Sequence, residues 1–291
     1  MALVGRLTPA FAWRAFFIFT FGAALAFAAV PAKAPDLAQL GKPDAAEAKR
    51  ILEQFRRSGI AGQYFLEFEL RALPRRGDEK IFQGRLWGGR NEQGQITRVE
   101  LTDGGGARHR FLVQNGERAA VWNYSGGRIG QLGVDALFTP LIPGVELTAF
   151  DLQMPFLYWP DAVLEKIARV LSRPAYAFSF RPSAAFAAQH PGLVAARAYI
   201  DTQSNQLIQM EVIGRDGRLE KTLQLVELKR VGEQWMPKSL DVRNEITRDK
   251  TRFQVTGVAL NLDLAPTVFQ PAVLAEEVRP PAAERIVRIA P

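Results

Sequence analysis

"QLIQMEVIGRDGRLEKTLQL", residues 206–225, alternates and then turns back on itself. Ile208, Met210 and Val212 fall on one side and Gln209 and Glu211 on the other, the period-2 pattern of a strand with one buried face. Asp216-Gly217 follows, a dipeptide suited to a tight turn. Beyond it Leu219, Leu223 and Leu225 are grouped on one side of a second strand. A connection this short can only join antiparallel neighbours. The stretch therefore decides for an antiparallel sheet over alternating βαβ units.

Its neighbours continue the pattern. Residues 194–200 place Val194, Ala196, Ala198 and Ile200 together. "QWMPKSLDVRNEI" (234–246) sets Met236, Leu240, Val242 and Ile246 against Ser239, Asp241, Arg243 and Glu245. "TRFQVTGVALNL" (251–262) starts with Phe253 and Val255 inward, then changes phase after Gly257 to Val258, Leu260 and Leu262, as a β-bulge would require. In the first half, "YFLEFELRA" (64–72) puts Tyr64, Leu66, Phe68 and Leu70 on one face. Further strands are expected near 79–88, 95–101, 107–114 and 118–124, separated by "RRGD", "NEQG", "DGGG" and "QNGE". Residues 163–171 fit a helix or the first arm of a hairpin about Ser172, and the strand reading is preferred.

One long helix is predicted over "DAAEAKRILEQFRRSG" (44–59). Asp44 is its N-cap, Glu47 stands in capping-box position, and Ala48, Ile51, Leu52 and Phe55 share a face. About eleven strands in one sheet must curl. The expectation is a mostly β fold with some α, a single large antiparallel sheet forming an unclosed barrel with the helix against its inner face. A β-sandwich fits the pattern nearly as well.

The chain has 291 residues, 47% hydrophobic and 23% charged, a globular composition. Residues 1–34 read as a secretory signal peptide. Arg6 and Arg14 precede the apolar run "AFFIFTFGAALAFAA", Ala26/Ala28 and Ala32/Ala34 offer cleavage sites, and no acidic residue precedes Asp36. The run is shorter than the roughly 20 residues of a spanning helix, which favours cleavage over an uncleaved anchor. A periplasmic location follows. Residues 35–43 read as a linker, 44–274 as one domain, and the Pro/Ala-rich 275–291 as a disordered tail. The formal charge is +7, and the signal segment carries three of the basic residues, so nucleic acid is not an expected partner.

Chemistry is sparse. There is no cysteine, which excludes disulfides, thiolate metal sites and a lipobox. The two histidines, His109 and His190, lie in no metal-ligand or triad spacing. "DGGGARH" (103–109) is Gly-rich but opens no helix that could hold a phosphate. No catalytic residue, metal or cofactor is expected.

One segment stands apart. "MPFLYWPDA" (154–162) gathers Met154, Phe156, Leu157, Tyr158 and Trp159 between two prolines, which bar it from a central strand. These side chains are either barrel core or the wall of a cavity.

Residues 143–161, "PGVELTAFDLQMPFLYWPD", open an ordered set of features. It comprises Pro143, Gly144, Glu146, Leu147, Thr148, Asp151 and Leu152; Asp201 at a strand turn; Asp216-Gly217 followed by Lys221-Thr222-Leu223; Trp235-Met236-Pro237; Lys250-Thr251; and "VFQPAVL". In this set the chain resembles the outer-membrane lipoprotein-sorting proteins, the LolA-like superfamily, over about residues 45–275 and in a longer form. The resemblance implies an unclosed barrel whose mouth is plugged by helices. It also implies a binding or carrier protein for acyl lipids or acylated lipoproteins, with membrane donor and acceptor proteins as possible partners; the alternative is an envelope-stress or regulatory protein-binding module on the same fold. On that reading Phe55, Tyr64, Phe68, Phe156, Trp159, Met210 and Leu240 line the lipid cavity. Phe150, Met154, Phe156, Leu157, Tyr158 and Trp159 form a lid.

Overall fold

In a computed structural model, which describes residues 43–290, the hairpin that decides the fold is β10 (Leu207–Ile213) and β11 (Leu219–Val231). Asp216 and Gly217 carry its turn with φ of 60° and 70°. A register shift opposite Val212/Ile213 pairs Ile213 with Leu219. That shift removes Leu219 from the face of Leu223 and Leu225 and leaves it exposed, against the expected grouping.

The remaining strands are β1 (Gln63–Leu73), β2 (Lys80–Asn91), β3 (Gly94–Thr102), β4 (Arg108–Gln114), β5 (Ala120–Ser125), β6 (Arg128–Gln131), β7 (Asp161–Val170), β8 (Arg173–Arg181), β9 (Ala195–Asp201), β12 (Gln234–Asn244), β13 (Lys250–Leu262) and β14 (Val287–Arg288). They make one antiparallel sheet in the order β6-β5-β4-β3-β2-β1-β13-β12-β11-β10-β9-β8-β7, with β14 beside β13. The sheet has 14 strands rather than about eleven and does not close, since β6 and β7 are its two edges. Segment 163–171 is strand, within β7. β6 and β14 escape prediction because four and two mostly exposed residues carry no alternation.

The bulge expected at Gly257 is present. Glu67 faces Gly257 and Phe68 faces Val255, so Thr256 has no partner on β1. β12 leaves β13 after Gln254, and β14 takes its place at Gly257 and Val258. The freed Thr256 carbonyl accepts from Ile289 N at 3.0 Å.

Helix α1 (Ala45–Arg57) is capped by Asp44, whose carboxylate accepts from Glu47 N. It buries Ala48, Ile51 and Leu52 on the sheet's inner face. Two short helices, α2 (Ala149–Gln153) and α3 (Ala184–Gln189), lie on that face with a 3-10 turn at Pro155–Tyr158. Together they fill the hollow.

The tail departs most from expectation. Residues 275–290 are not a loose end. Leu274 is buried against Ile96 and Leu112. Ile286 packs with Phe65 and Trp87 on the outer face, and Ile289 is also buried. Its composition carries no period, yet single anchors dock it. Residues 1–34, expected to be a signal peptide, and all but the last residue of the expected linker lie outside the described residues.

Candidate functional site

Thr148 caps α2 in a reciprocal capping box with Asp151. The helix stops at Met154, which takes a left-handed conformation (φ 46°, ψ 55°) before Pro155 starts the 3-10 turn. This reversal drives Phe156 and Leu157 into the core and sets Tyr158 and Trp159 at its margin. Aromatic contacts extend from there: Phe138 to Phe150 at 4.5 Å, Phe156 to Phe180 at 5.3 Å, and Trp159 to Phe186 at 5.0 Å between centroids.

Two clefts flank this turn. The first, about 520 Å³, lies between α1 and strands β7 and β8, against Ala48, Leu52, Ala162, Leu164 and Phe178, with exposed Asp44 and Lys49 at its rim. The second, about 400 Å³, is lined by Val121, Leu137, Gln153, Pro155 and Phe186, among others. Tyr158 and Trp159 line both. They act as a partition between two spaces of the size that holds small ligands.

Of the residues predicted to line a cavity, Trp159 reaches both clefts. Phe68, Phe156 and Met210 are closed into the core, and Phe55, Tyr64 and Leu240 are half-buried against it. Burial pushes the Tyr64 hydroxyl up to about 12. Of the predicted lid, Phe150, Phe156 and Leu157 are buried and Met154 is the hinge residue between α2 and the turn. Sequence reading missed Leu164, Phe178 and Phe186 as cleft walls. Leu52 was visible as part of the apolar helix face but not as a lining residue.

The aromatic turn is latched to α1. Arg56 Nε donates to Leu157 O at 2.7 Å. Its guanidinium stands 5.1 Å from the Tyr158 ring centroid, a cation–π contact. Burial draws the Arg56 guanidinium below the usual arginine range. Burial also raises the Tyr158 hydroxyl, with Arg56 opposing the rise. Arg90 from β2 donates to the carbonyls of Arg56, Arg57 and Ser58 at the end of α1, satisfying acceptors the helix leaves open.

Beneath α2 lies a polar knot. Lys221 Nζ donates to Asp151 Oδ2 and to Glu146 O, each at 2.9 Å. The Thr148 amide and hydroxyl donate to the same Asp151 oxygen at 2.8 Å. Glu146 N donates to Thr251 Oγ1 at 2.7 Å. Glu146, Thr148, Asp151, Lys221 and Thr251 all belong to the features that carried the sequence resemblance. The fold brings them to one point under α2.

Each histidine pairs with an aspartate. His190 Nδ1 is 2.7 Å from Asp135 Oδ1, and its ring stacks on Phe138 at 3.9 Å. His109 Nε2 is 2.8 Å from Asp103 Oδ2. Asp103 is held below the usual carboxylate range by His109 and by the amides of Ala107 and Gly105.

Comparison with solved structures gives the fold a class. A domain from Vibrio parahaemolyticus described as an outer-membrane lipoprotein-sorting protein superposes with a TM-score of 0.69 at 17% identity, covering 79% of this chain and 99% of its own. A DUF1329 family protein from Desulfovibrio piger gives 0.66 at 12% identity, over 80% of this chain and all of its own. A LolA superfamily protein from Nitrosomonas europaea gives 0.59 at 13%, over 77% and 97%. The chain has the LolA-like unclosed-barrel fold. A family profile described as an uncharacterized protein matches residues 191–276. Among curated proteins the sequence finds no significant match.

Proposed function

We propose that this protein is a periplasmic carrier that binds acyl chains, of a lipid or an acylated lipoprotein, between its inner sheet face and its plug of helices. It acts by binding and release, with no covalent step. The observation that carries this reading is the mainly apolar first cleft, separated by Tyr158 and Trp159 from a more polar second one, with the dividing turn latched by Arg56. A fold shared with a domain described as lipoprotein-sorting supports it. Among the described residues no helix is long and apolar enough to cross a membrane.

Each buried CH₂ contributes about 0.8 kcal/mol, so part of an acyl chain in the first cleft gives useful affinity. The ligand needs a way in. Movement of the 154–159 turn away from α1 joins the two clefts across Tyr158 and Trp159. Loss of the Arg56 contacts opposes that movement, and burial of the acyl chain drives it.

The test is native mass spectrometry on protein purified from the periplasm without detergent, with displacement of a fluorescent fatty acid as the second readout. A co-purifying acyl mass and uptake of the probe are expected. Ala162→Trp, which fills the first cleft, should weaken uptake about ten-fold, or about 1.4 kcal/mol, with an unchanged far-UV spectrum. A clean apo mass and no uptake would overturn the carrier reading and leave a protein-binding module.

A further inference from the structure

The two clefts differ in their polar groups. The first has Lys49 and Arg56 among its lining residues. The second has Glu117, Gln131, Gln153 and Gln189, and among the described residues that line it there is no lysine or arginine. An anionic head would meet no cation in the second cleft. A group that donates hydrogen bonds would meet amide and carboxylate oxygens.

Gln153 is the one of these four that the fold buries. It is the last residue of α2, set just ahead of the left-handed Met154, and is 2% exposed. Its side-chain amide is half used. Nε2 donates to the Gln114 main-chain carbonyl at 3.2 Å. A carbonyl can only accept, so this bond fixes which end of the amide is which. Oε1 is the free end, and among the described residues no donor reaches it. Nor is it sealed off. The side-chain atoms that are both closed to solvent and unpartnered lie elsewhere, Asp151 Oδ1 and Trp87 Nε1 among them. The second cleft is where Gln153 meets open space.

The neighbouring amide makes the contrast. Gln114, on β4, is also buried, but both ends of its side chain are engaged. Its Oε1 accepts from Asn91, and its Nε2 donates to Asn91 Oδ1 and to the carbonyls of Gln95 and Asn115. A buried acceptor left unmet is unfavourable. A half-used amide in the wall of a cleft therefore marks a place for a donor from outside the chain.

We propose that the second cleft is a subsite for the polar part of the ligand, and that it selects an amide N–H, donated to Gln153 Oε1, over an ester or an anionic head. The chemistry is that of an acyl chain joined to nitrogen, as in an N-acylated polypeptide or an N-acyl lipid. This deepens the carrier reading and rests on it: the chain lies in the first cleft, and the amide reaches the second when the 154–159 turn moves. Gln131 and Gln189, exposed at the cleft, can donate to the carbonyl of the same amide. The carboxylate of Glu117 disfavours an anion.

The experiment uses the full chain and two probes of one shape, N-methyl dodecanamide and methyl dodecanoate, each displacing a bound fluorescent fatty acid. The probes differ by a single N–H. The amide should displace at about five- to ten-fold lower concentration, the scale of one hydrogen bond. In Gln153→Leu the two should displace alike, with the affinity for the ester kept. Dodecyl phosphate should do no better than the ester. Equal displacement by amide and ester in the wild type shows that solvent satisfies Oε1, and overturns the subsite while the carrier reading stands. An amide preference that survives in a folded Gln153→Leu, or a phosphate that outcompetes the amide, also overturns it. Should Gln153→Leu not fold, Ala120→Trp, which fills the second cleft from its half-buried wall, replaces it and must abolish the preference. Failure of every probe to bind, the fatty acid included, overturns the carrier reading and the subsite with it. N-dodecanoyl glycylglycinamide separates the two sources. Tighter displacement than by the simple amide assigns an acylated polypeptide, and equal displacement assigns an N-acyl lipid.

Discussion

Lys221 Nζ lies 2.9 Å from Asp151 Oδ2, joining a strand in the middle of the chain's second half to the first turn of the helix that leads into the aromatic 3-10 turn. The carboxylate is fully buried and the ammonium nearly so, with side-chain exposures of 0% and 16%. Such a pair is poor as a source of net stability but costly to break, because removal of one partner strands a buried charge. Lys221→Ala should therefore destabilise by about 3 kcal/mol, read in urea unfolding. Asp151→Asn combined with Lys221→Met should cost less than the sum of the single changes, since the two share one interaction.

Arg56 connects α1 to the Pro155–Tyr158 turn through Leu157 O and the Tyr158 ring. A hydrogen bond from a charged group contributes roughly 1.5–3 kcal/mol. Arg56→Ala should raise the population of the open turn ten-fold or more, on the scale of about 1.4 kcal/mol per decade. The rate of fatty-acid uptake in stopped-flow fluorescence should rise accordingly. An unchanged rate would show that ligand enters by another route.

Phe156 and Trp159 stand next to each other but differ in role. Phe156 is fully buried, so Phe156→Ala should cost about 3–5 kcal/mol as a core deletion. Phe156→Asp would bury a charge and would not leave the fold intact. Trp159 lines both clefts. Trp159→Ala should merge them and move the binding preference toward longer acyl chains, measured by displacement with fatty acids of increasing length.

Asp241 faces Arg252 at 2.7 Å and Lys250 at 3.1 Å. Burial works to raise its carboxyl, and the bonds from Arg252 and Lys250 outweigh it, so the folded value lies below the usual carboxylate range. A depressed folded value means a contribution fully present above the unfolded value, near 3.9, and lost as pH falls through the folded one. Asp241→Asn should be less stable than wild type at about pH 7, and the gap should narrow at about pH 3.

Legibility in the sequence followed periodicity. The meander of β9 to β13 was readable because Ala196, Ala198, Met210, Val212 and Val255 recur every second residue. The bulge was readable because Gly257 breaks that phase. Phe65 and Trp87 were also in plain view, yet nothing local could say that a polar-looking face carried a cover. The anchors of the C-terminal segment, Phe269, Leu274, Ile286 and Ile289, are irregularly spaced among prolines and alanines. The polar knot needs the register of β11 and β13 to bring Lys221 and Thr251 beside Asp151, and no spacing encodes that. The aromatic cluster at 154–159 shows in the composition and its role as a lid was an expectation from the resemblance, but which of its side chains face space and which fill it depends on the left-handed turn at Met154.

The middle of the sheet has a consequence for how the protein is made. β1 pairs along its length with β13, Gln63 opposite Leu262 and Leu73 opposite Lys250. The first half of the sheet therefore cannot complete its central seam until the last long strand has been synthesised. Pairings of such long sequence separation slow folding. A newly made chain with this topology stays open along its central seam until its C-terminal strands arrive.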